Sequence, residues 1–284
     1  MLDGKWGFID RTGAEVIPLK YDDAKNFFEG LAGVKLGDKW GVVDKTGAEV
    51  VPPIYDYVND FHEGFAAVML DGKWGYIDKT GAEVVPLKYD HAWDFSDGMA
   101  RINLDNKHGY IDTRGAEIVP LKYNGGDIFS DGMAPVKLDG KYGYVDKTGA
   151  EVVPLIYDYA FIFSEGLGAV MLDGKFGFVD RIGAEIVPLM YEKGSGFTNG
   201  FADVKLGGKW GYIDKTGAVI VPFKYDDCYN FSRGLAPVKL DGKWGCINTE
   251  GAEVVPLIYD LVGGFSEGIS SVALNGKYGY IGIG

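Results

Sequence analysis

The sequence is poor in the residues on which most catalytic and metal chemistry rests. Its 284 residues include only two cysteines and three histidines. Cys228 and Cys246 each take a slot that is apolar in other copies of a repeat, Cys228 that of Ala92 and Cys246 that of Tyr76. Both read as small buried apolar residues. No disulfide framework is visible, which fits a reducing compartment. His62 replaces a serine in a turn and His108 stands in a tryptophan slot, so neither joins a constellation. Metal-ligand spacings, a phosphate loop, a nucleophile elbow and the HExxH motif are missing. Basic residues are also short, 28 Lys and Arg against 41 Asp and Glu, for a net charge of −13. Phosphate backbones and anionic membranes require a basic face, so nucleic acid and membrane are disfavoured as partners. No apolar run could span a bilayer and no leader precedes the first repeat, which points to the cytoplasm. Helical periodicity is absent throughout.

What is present is a period. Trp6-Gly7 recurs as Trp40-Gly41, Trp74-Gly75, His108-Gly109, Tyr142-Gly143, Phe176-Gly177, Trp210-Gly211, Trp244-Gly245 and Tyr278-Gly279, always 34 residues apart. A fixed period of this size is the mark of a repeat architecture. With 46% apolar and 14% aromatic residues the chain can fill a core. The expected organisation is a single array over 1–284, with units starting at Trp6, Trp40, Trp74, His108, Tyr142, Phe176, Trp210 and Trp244 and a ninth partial unit at Tyr278.

Four short β runs are read from the unit Trp74 to Lys107. The first, Trp74 to Ile77, ends in Asp78-Lys79-Thr80-Gly81, a type I turn closed by a glycine at positive φ. The second, Ala82 to Val85, is expected to stop at Pro86, which cannot donate to a ladder. A weaker third run ends at Phe95, and Ser96-Asp97-Gly98 turns the chain into the fourth, Met99 to Leu104. The following slot is Asp-Gly in several copies, such as Asp71-Gly72, the strongest short hairpin signal. Each repeat is therefore predicted to be a meander of four antiparallel strands. Across Asp139-Gly140, the hairpin pairs Leu138 with Lys141, Lys137 with Tyr142, Val136 with Gly143 and Pro135 with Tyr144. Val136 and Val145 then share one face, Tyr142 and Tyr144 the other, and both faces are substantially apolar. Such sheets suit face-to-face stacking.

The pattern G-K-W-G-[YF]-[IV]-D-[KR]-T-G-A-E-[VI]-[VI]-P-x-x-Y, followed by F-x-[ED]-G-[LMF]-A, resembles the bacterial WG (KWG) repeats over the whole chain. The turn-forming part also looks like blades of quinoprotein-type propellers. The resemblance implies no single activity, so no residue role is carried over from it. The fold expected is all-β, eight tandem four-stranded antiparallel units, with an eight-bladed β-propeller leading and an open β-superhelix of the same units as the alternative. Two features keep the alternative open: the unit is short beside common blades of about 40–45 residues, and there are nine Trp-Gly-type strands where a ring of eight needs eight.

Slots divide into fixed and free. The fixed ones (both glycines, Pro, Tyr21 through Tyr259, Phe27 through Phe265) read as packing and turn geometry, and stacked identical Tyr and Phe could form ladders between units. The free stretch lies between that Tyr and that Phe and is the candidate binding surface. Its residues His91, Trp93 and Asp94, with Tyr57, Tyr159 and Tyr229, are the candidate binding residues. No catalytic residue, metal ligand or cofactor is assigned. The Asp-x-Thr-Gly carboxylates recur in nearly every unit, which suits turn capping better than a unique acid–base pair. The function expected is a non-enzymatic binding or protein-interaction scaffold with a protein or glycan ligand. The alternatives are a structural, self-assembling repeat protein and a carbohydrate-binding propeller.

Overall fold

A computed structural model describes residues 3–265 and 268–282. Met1 and Leu2 at the head of the expected array, and residues 283 and 284 of its ninth partial unit, lie outside them, as do 266 and 267. Every regular element among the described residues is a β-strand, and every ladder is antiparallel. No helix among them is long and apolar enough to cross a membrane. The chain groups into two compact units, Met1–Asp139 with Val145–Ala150 and Gly140–Tyr144 with Glu151–Gly284.

The first unit opens with a ribbon, Trp6–Ile9 against Glu15–Tyr21, followed by four-stranded sheets over 23–55, 57–89 and 91–123. The second holds four-stranded sheets over 159–191, 193–225 and 227–259 and a three-stranded sheet, Leu261–Val262, Ile269–Leu274 and Lys277–Gly282. The strands from Gly125 to Tyr157, where the division falls, form one more four-stranded sheet. The meander expected from the sequence is present, but its phase is corrected. A sheet begins just after the fixed tyrosine, so the four runs of a Trp-initiated repeat divide between two successive sheets. The sheet over 57–89, for example, runs Tyr57–Val58, Phe65–Leu70, Lys73–Asp78, Glu83–Tyr89. This phase accounts for the nine Trp-Gly-type strands: the first ribbon is the back half of a sheet, the last three strands are a front, and both contain that strand.

Hairpin register is as the alternation predicts. Leu70 faces Lys73, Met69 faces Trp74, Val68 faces Gly75 and Ala67 faces Tyr76. Asp71 and Gly72 both have positive φ, 50° and 74°, as the twist of a tight two-residue hairpin demands. Both faces are buried: Tyr76, Ile77, Val68 and Ala67 are inaccessible or nearly so, as are Tyr144, Val145 and Val136. Full burial of a large apolar side chain stabilises by about 1.5–3 kcal/mol, so the stacked sheets carry the core.

The proline does not end the second strand, as expected from its missing donor. Strand Glu49–Tyr55 continues through Pro52 and Pro53, but Val42 faces Val51 whereas Trp40 faces Tyr55. Three residues, Pro52 to Ile54, thus bulge opposite the single Gly41, and the bulge needs no ladder donor from either proline. The bulge also explains the invariant glycine. A Cβ on Gly41 would sit 2.5 Å from Val51 O and 2.8 Å from Pro53 N.

Candidate functional site

Several acidic slots are consumed by turn chemistry. Asp78 Oδ1 accepts from the Thr80 hydroxyl (2.6 Å), the Thr80 N–H (2.8 Å) and the Ala82 N–H (3.1 Å). The Thr80 hydroxyl foremost holds its carboxyl below the usual carboxylate range. Asp10, Asp44, Asp146 and Asp214 repeat the arrangement. The aspartate that opens the free stretch is equally committed. Asp90 accepts from Lys73 Nζ (2.6 Å) and from the Asp105 N–H (2.8 Å) of the next hairpin turn. Asp56, Asp158 and Asp260 do the same, so the first position of the stretch is fixed, not free. A third set joins successive repeats. Glu29 accepts from the Glu63 and Gly64 N–H groups, each at 2.9 Å, and Glu63 in turn from Asp97 and Gly98. Among the described residues no group of three or more His, Cys, Asp or Glu is placed to hold a metal ion.

The rest of the free stretch contributes to an aromatic ladder with a 17-residue step. Tyr57 faces Met69, which faces Trp74, so residues 57 and 74 share a row of one sheet. Tyr89 faces Trp74 and leads, two residues on, to His91 at the start of the next sheet. Ring centroids follow this row: Trp40–Tyr57 6.0 Å, Tyr57–Trp74 5.9 Å, Trp74–His91 5.2 Å, His91–Trp93 4.2 Å and Trp93–His108 5.5 Å. In the second unit Tyr159 lies between Tyr142 and Phe161, and Tyr229 stacks on Trp244 at 5.2 Å. This ladder pairs the Trp-Gly slot with the free stretch, while the fixed Phe meets the ring two residues after that slot, as in Tyr76–Phe95, Tyr110–Phe129 and Tyr144–Phe163. Tyr57, Tyr159 and Tyr229 remain 38%, 42% and 55% exposed.

The six candidate residues thus do not form one site. Tyr57, His91 and Trp93 lie along one ladder, whereas Tyr159 and Tyr229 belong to separate contacts in the other unit. Trp93 and Asp94 border a cavity of about 280 Å³ with His62 and Ile128. There Asp94 accepts from Asn59 Nδ2 at 2.8 Å and lies 3.7 Å from His62 Nε2. His62 is therefore part of a constellation, against the sequence reading.

His108 is too. Its Nε2 lies 3.3 Å from Asn103 Nδ2, and its Nδ1 is buried without a hydrogen-bond partner. Above Trp93 sits Arg101, with Cζ 3.7 Å from the ring centroid and Nη1 donating to Gly126 O. Burial, with the nearby Arg101 charge second, pushes both His91 and His108 below the ordinary histidine value. Sequence reasoning missed Arg101. The signal lay in its column, which elsewhere holds Gly33, Ala67, Pro135, Ala169, Asp203, Pro237 and Ser271. A charge twice replaces a small residue there, at Arg101 and at Asp203.

Asp203 marks the larger cavity, about 620 Å³, also bordered by Cys228, Tyr229, Asn230, Gly263 and Gly264. At 8% exposure it is one of the few buried polar residues, and burial pushes its carboxyl above the usual range. The Ser195 hydroxyl donates to it. Two glycines create the space, because Gly263 and Gly264 stand where other repeats carry Trp93-Asp94, Phe161-Ile162 and Tyr229-Asn230. Cys246 is fully buried, as expected, whereas Cys228 is half-buried, packed against the apolar core on one side and bordering the cavity on the other. Burial pushes both thiols up, that of Cys246 to about 12, so neither is an available thiolate near neutrality.

No curated protein matches the chain. Among solved structures, the crystal structure of a eukaryotic initiation factor is similar at a TM-score of 0.53 and 11% identity, over 94% of this chain and 87% of that one. That likeness shows the fold alone. BamB from Moraxella catarrhalis is similar at a TM-score of 0.42 and 13% identity, over 89% of this chain and 93% of that one. The all-β array of four-stranded units fits a β-propeller and an open solenoid alike. Eight consecutive matches to the WG containing repeat, over residues 6–40, 40–74, 74–107, 109–142, 142–176, 176–210, 210–244 and 244–278, run the length of the chain, which belongs to that family.

Proposed function

We propose that this WG-repeat chain is a non-enzymatic binding scaffold whose ligand, a polypeptide or a glycan, lies against the exposed edge of the aromatic ladder. One observation carries the reading. Among the described residues, both cavities are bordered by residues of the variable stretch between the fixed Tyr and the fixed Phe, Trp93 and Asp94 at one and Tyr229, Asn230, Gly263 and Gly264 at the other. Half-exposed aromatics on a rigid sheet supply contact area at small entropic cost, as binding surfaces require. Burial pushes both thiols up, so neither cysteine offers a thiolate nucleophile near neutrality.

Peptide and glycan arrays probed with the full chain test this, followed by titrations with Trp93→Ala and Tyr229→Ala. The expected result is a ligand whose affinity falls at least tenfold in one variant while circular dichroism still shows the folded β array. Array hits indifferent to both substitutions, or no hits, would overturn it.

A further inference from the structure

The larger cavity has a specific chemistry. Asp203 borders it, and among the described residues no lysine or arginine does. One side is Tyr229, whose ring is held against Trp244 with planes 23° from parallel and leaves its other face towards solvent. Acceptor oxygens cluster beside Asp203. Ser195 Oγ lies within hydrogen-bond distance of both Asp203 Oδ1 and Asn230 Oδ1, the latter at 3.0 Å, yet a hydroxyl carries one proton. The carboxylate of Asp203 and the amide oxygen of Asn230 therefore both face the space around Ser195 Oγ as acceptors.

The fold already shows what such a place can hold. Asp203 stands in the column of Arg101, Ser195 in that of Trp93 and Cys228 in that of Gly126, each 102 residues on. In the first unit the guanidinium of Arg101 lies on the Trp93 ring and donates to Gly126 O. At the cavity the arginine is replaced by a carboxylate and the indole by a serine. The space is vacated, its charge is reversed, and an aromatic wall returns as Tyr229 from the next repeat.

We propose that this cavity binds an alkylguanidinium group, with Asp203 as its counter-ion, Asn230 Oδ1 as a second acceptor and Tyr229 as the ring against which it lies. A guanidinium presents five N–H donors in a planar fork, matching clustered acceptors and an aromatic face better than an ammonium does. This rests on the scaffold reading and sharpens it, since the natural source is an arginine side chain of a partner polypeptide.

The groups facing Asp203 are Tyr212 on its own sheet and Asp227 and Cys228 on the next. Tyr212 and Cys228 are pushed up by burial and stay neutral, so cation binding should strengthen as rising pH ionises Asp203.

The test is calorimetric titration of the full chain with N-acetyl-arginine methylamide, agmatine and N-acetyl-citrulline methylamide, at pH 5 and pH 8. Expected is binding of the arginine derivative, tighter at pH 8, with the neutral citrulline analogue at least tenfold weaker. Asp203→Asn should lose at least tenfold and the pH dependence. Tyr229→Leu, at an exposed ring that does not threaten folding, should lose severalfold. Agmatine binding as tightly as the arginine derivative supports the site with a free guanidinium as ligand, and weaker agmatine binding supports the polypeptide source. Equal binding of citrulline, unchanged affinity in folded Asp203→Asn or Tyr229→Leu, or no binding of either guanidinium overturns the proposal. Array ligands that still depend on Tyr229 in that case would leave the scaffold reading standing.

Discussion

Trp74 and His91 stack with ring centroids 5.2 Å apart and planes 22° from parallel, and they belong to consecutive sheets. Seventeen residues separate them, half of the sequence period. The contact shows how this fold uses its repeat: the Trp-Gly slot of one sheet meets the variable stretch that opens the next. Variation in the free column therefore changes an inter-sheet contact as well as a surface. Trp93 and Arg101 extend the same row into a cluster with His91 and His108.

That cluster should titrate. Burial and then Arg101 depress His108, so the folded state prefers neutral imidazole. The stability this contributes is complete above the ordinary value of 6.5 and is lost as pH falls from there through the depressed folded value. Arg101→Leu should move the His108 titration upward towards 6.5, read from imidazole proton shifts by NMR. An unmoved titration would mean that burial alone sets it.

The Trp-Gly glycine is required sterically, whereas the hairpin glycine is required only by its backbone angle. Gly41→Ala drives a methyl into the Val51 carbonyl and the Pro52-Pro53 bulge and should cost about 1–3 kcal/mol. Gly72→Ala has nothing within 4 Å of the new Cβ and meets only the strain of positive φ, about 1 kcal/mol. Urea denaturation of the two variants orders them, and a larger loss in Gly72→Ala would contradict the bulge argument.

Asp158 accepts from Lys141 Nζ at 2.6 Å and from the Asp173 N–H at 2.7 Å, and the lysine foremost lowers its pKa. A lowered folded value stabilises above the ordinary 3.8 and ceases to as pH falls through the folded value. Asp158→Asn should therefore lower the melting temperature at pH 7 and leave it nearly unchanged near pH 2. An equal loss at both values would assign the effect to something other than the charge.

Asp203 has the opposite sign. Its folded pKa is raised by burial, so the folded state favours the protonated acid and loses stability as pH rises through the ordinary value of 3.8 towards the raised folded one. Asp203→Asn should melt higher than the parent at pH 7 and match it in acid. A variant that gains stability while losing guanidinium binding would place Asp203 among residues kept for function at the expense of the fold. Melting lower at pH 7 would instead make the Ser195–Asp203 contact structural.

Much of this could be read directly from the residues. The period, the hairpin register and the burial of both sheet faces follow from alternation and turn chemistry, which are local. The assignment of strands to sheets did not, because Tyr89-Asp90-His91 reads as a bend whether the chain stays in its sheet or passes to the next. The proline was misread as a stop because the bulge it sits in exists only when Gly41 and its counterparts give it room.

The sites divide in the same way. Sequence periodicity determined that residues 91–94, 159 and 229 lie in a variable stretch, since variation against an invariant frame is a property of the chain alone. Only the tertiary structure decided that they fall into separate contacts, that the opening aspartate is tied to a lysine seventeen residues away, and that Gly263 and Gly264 open a cavity onto Asp203. Those outcomes depend on which repeats face each other across a packed interface. A column of small residues with one aspartate in it gains chemical meaning only when the neighbouring sheet supplies a tyrosine and withholds two side chains.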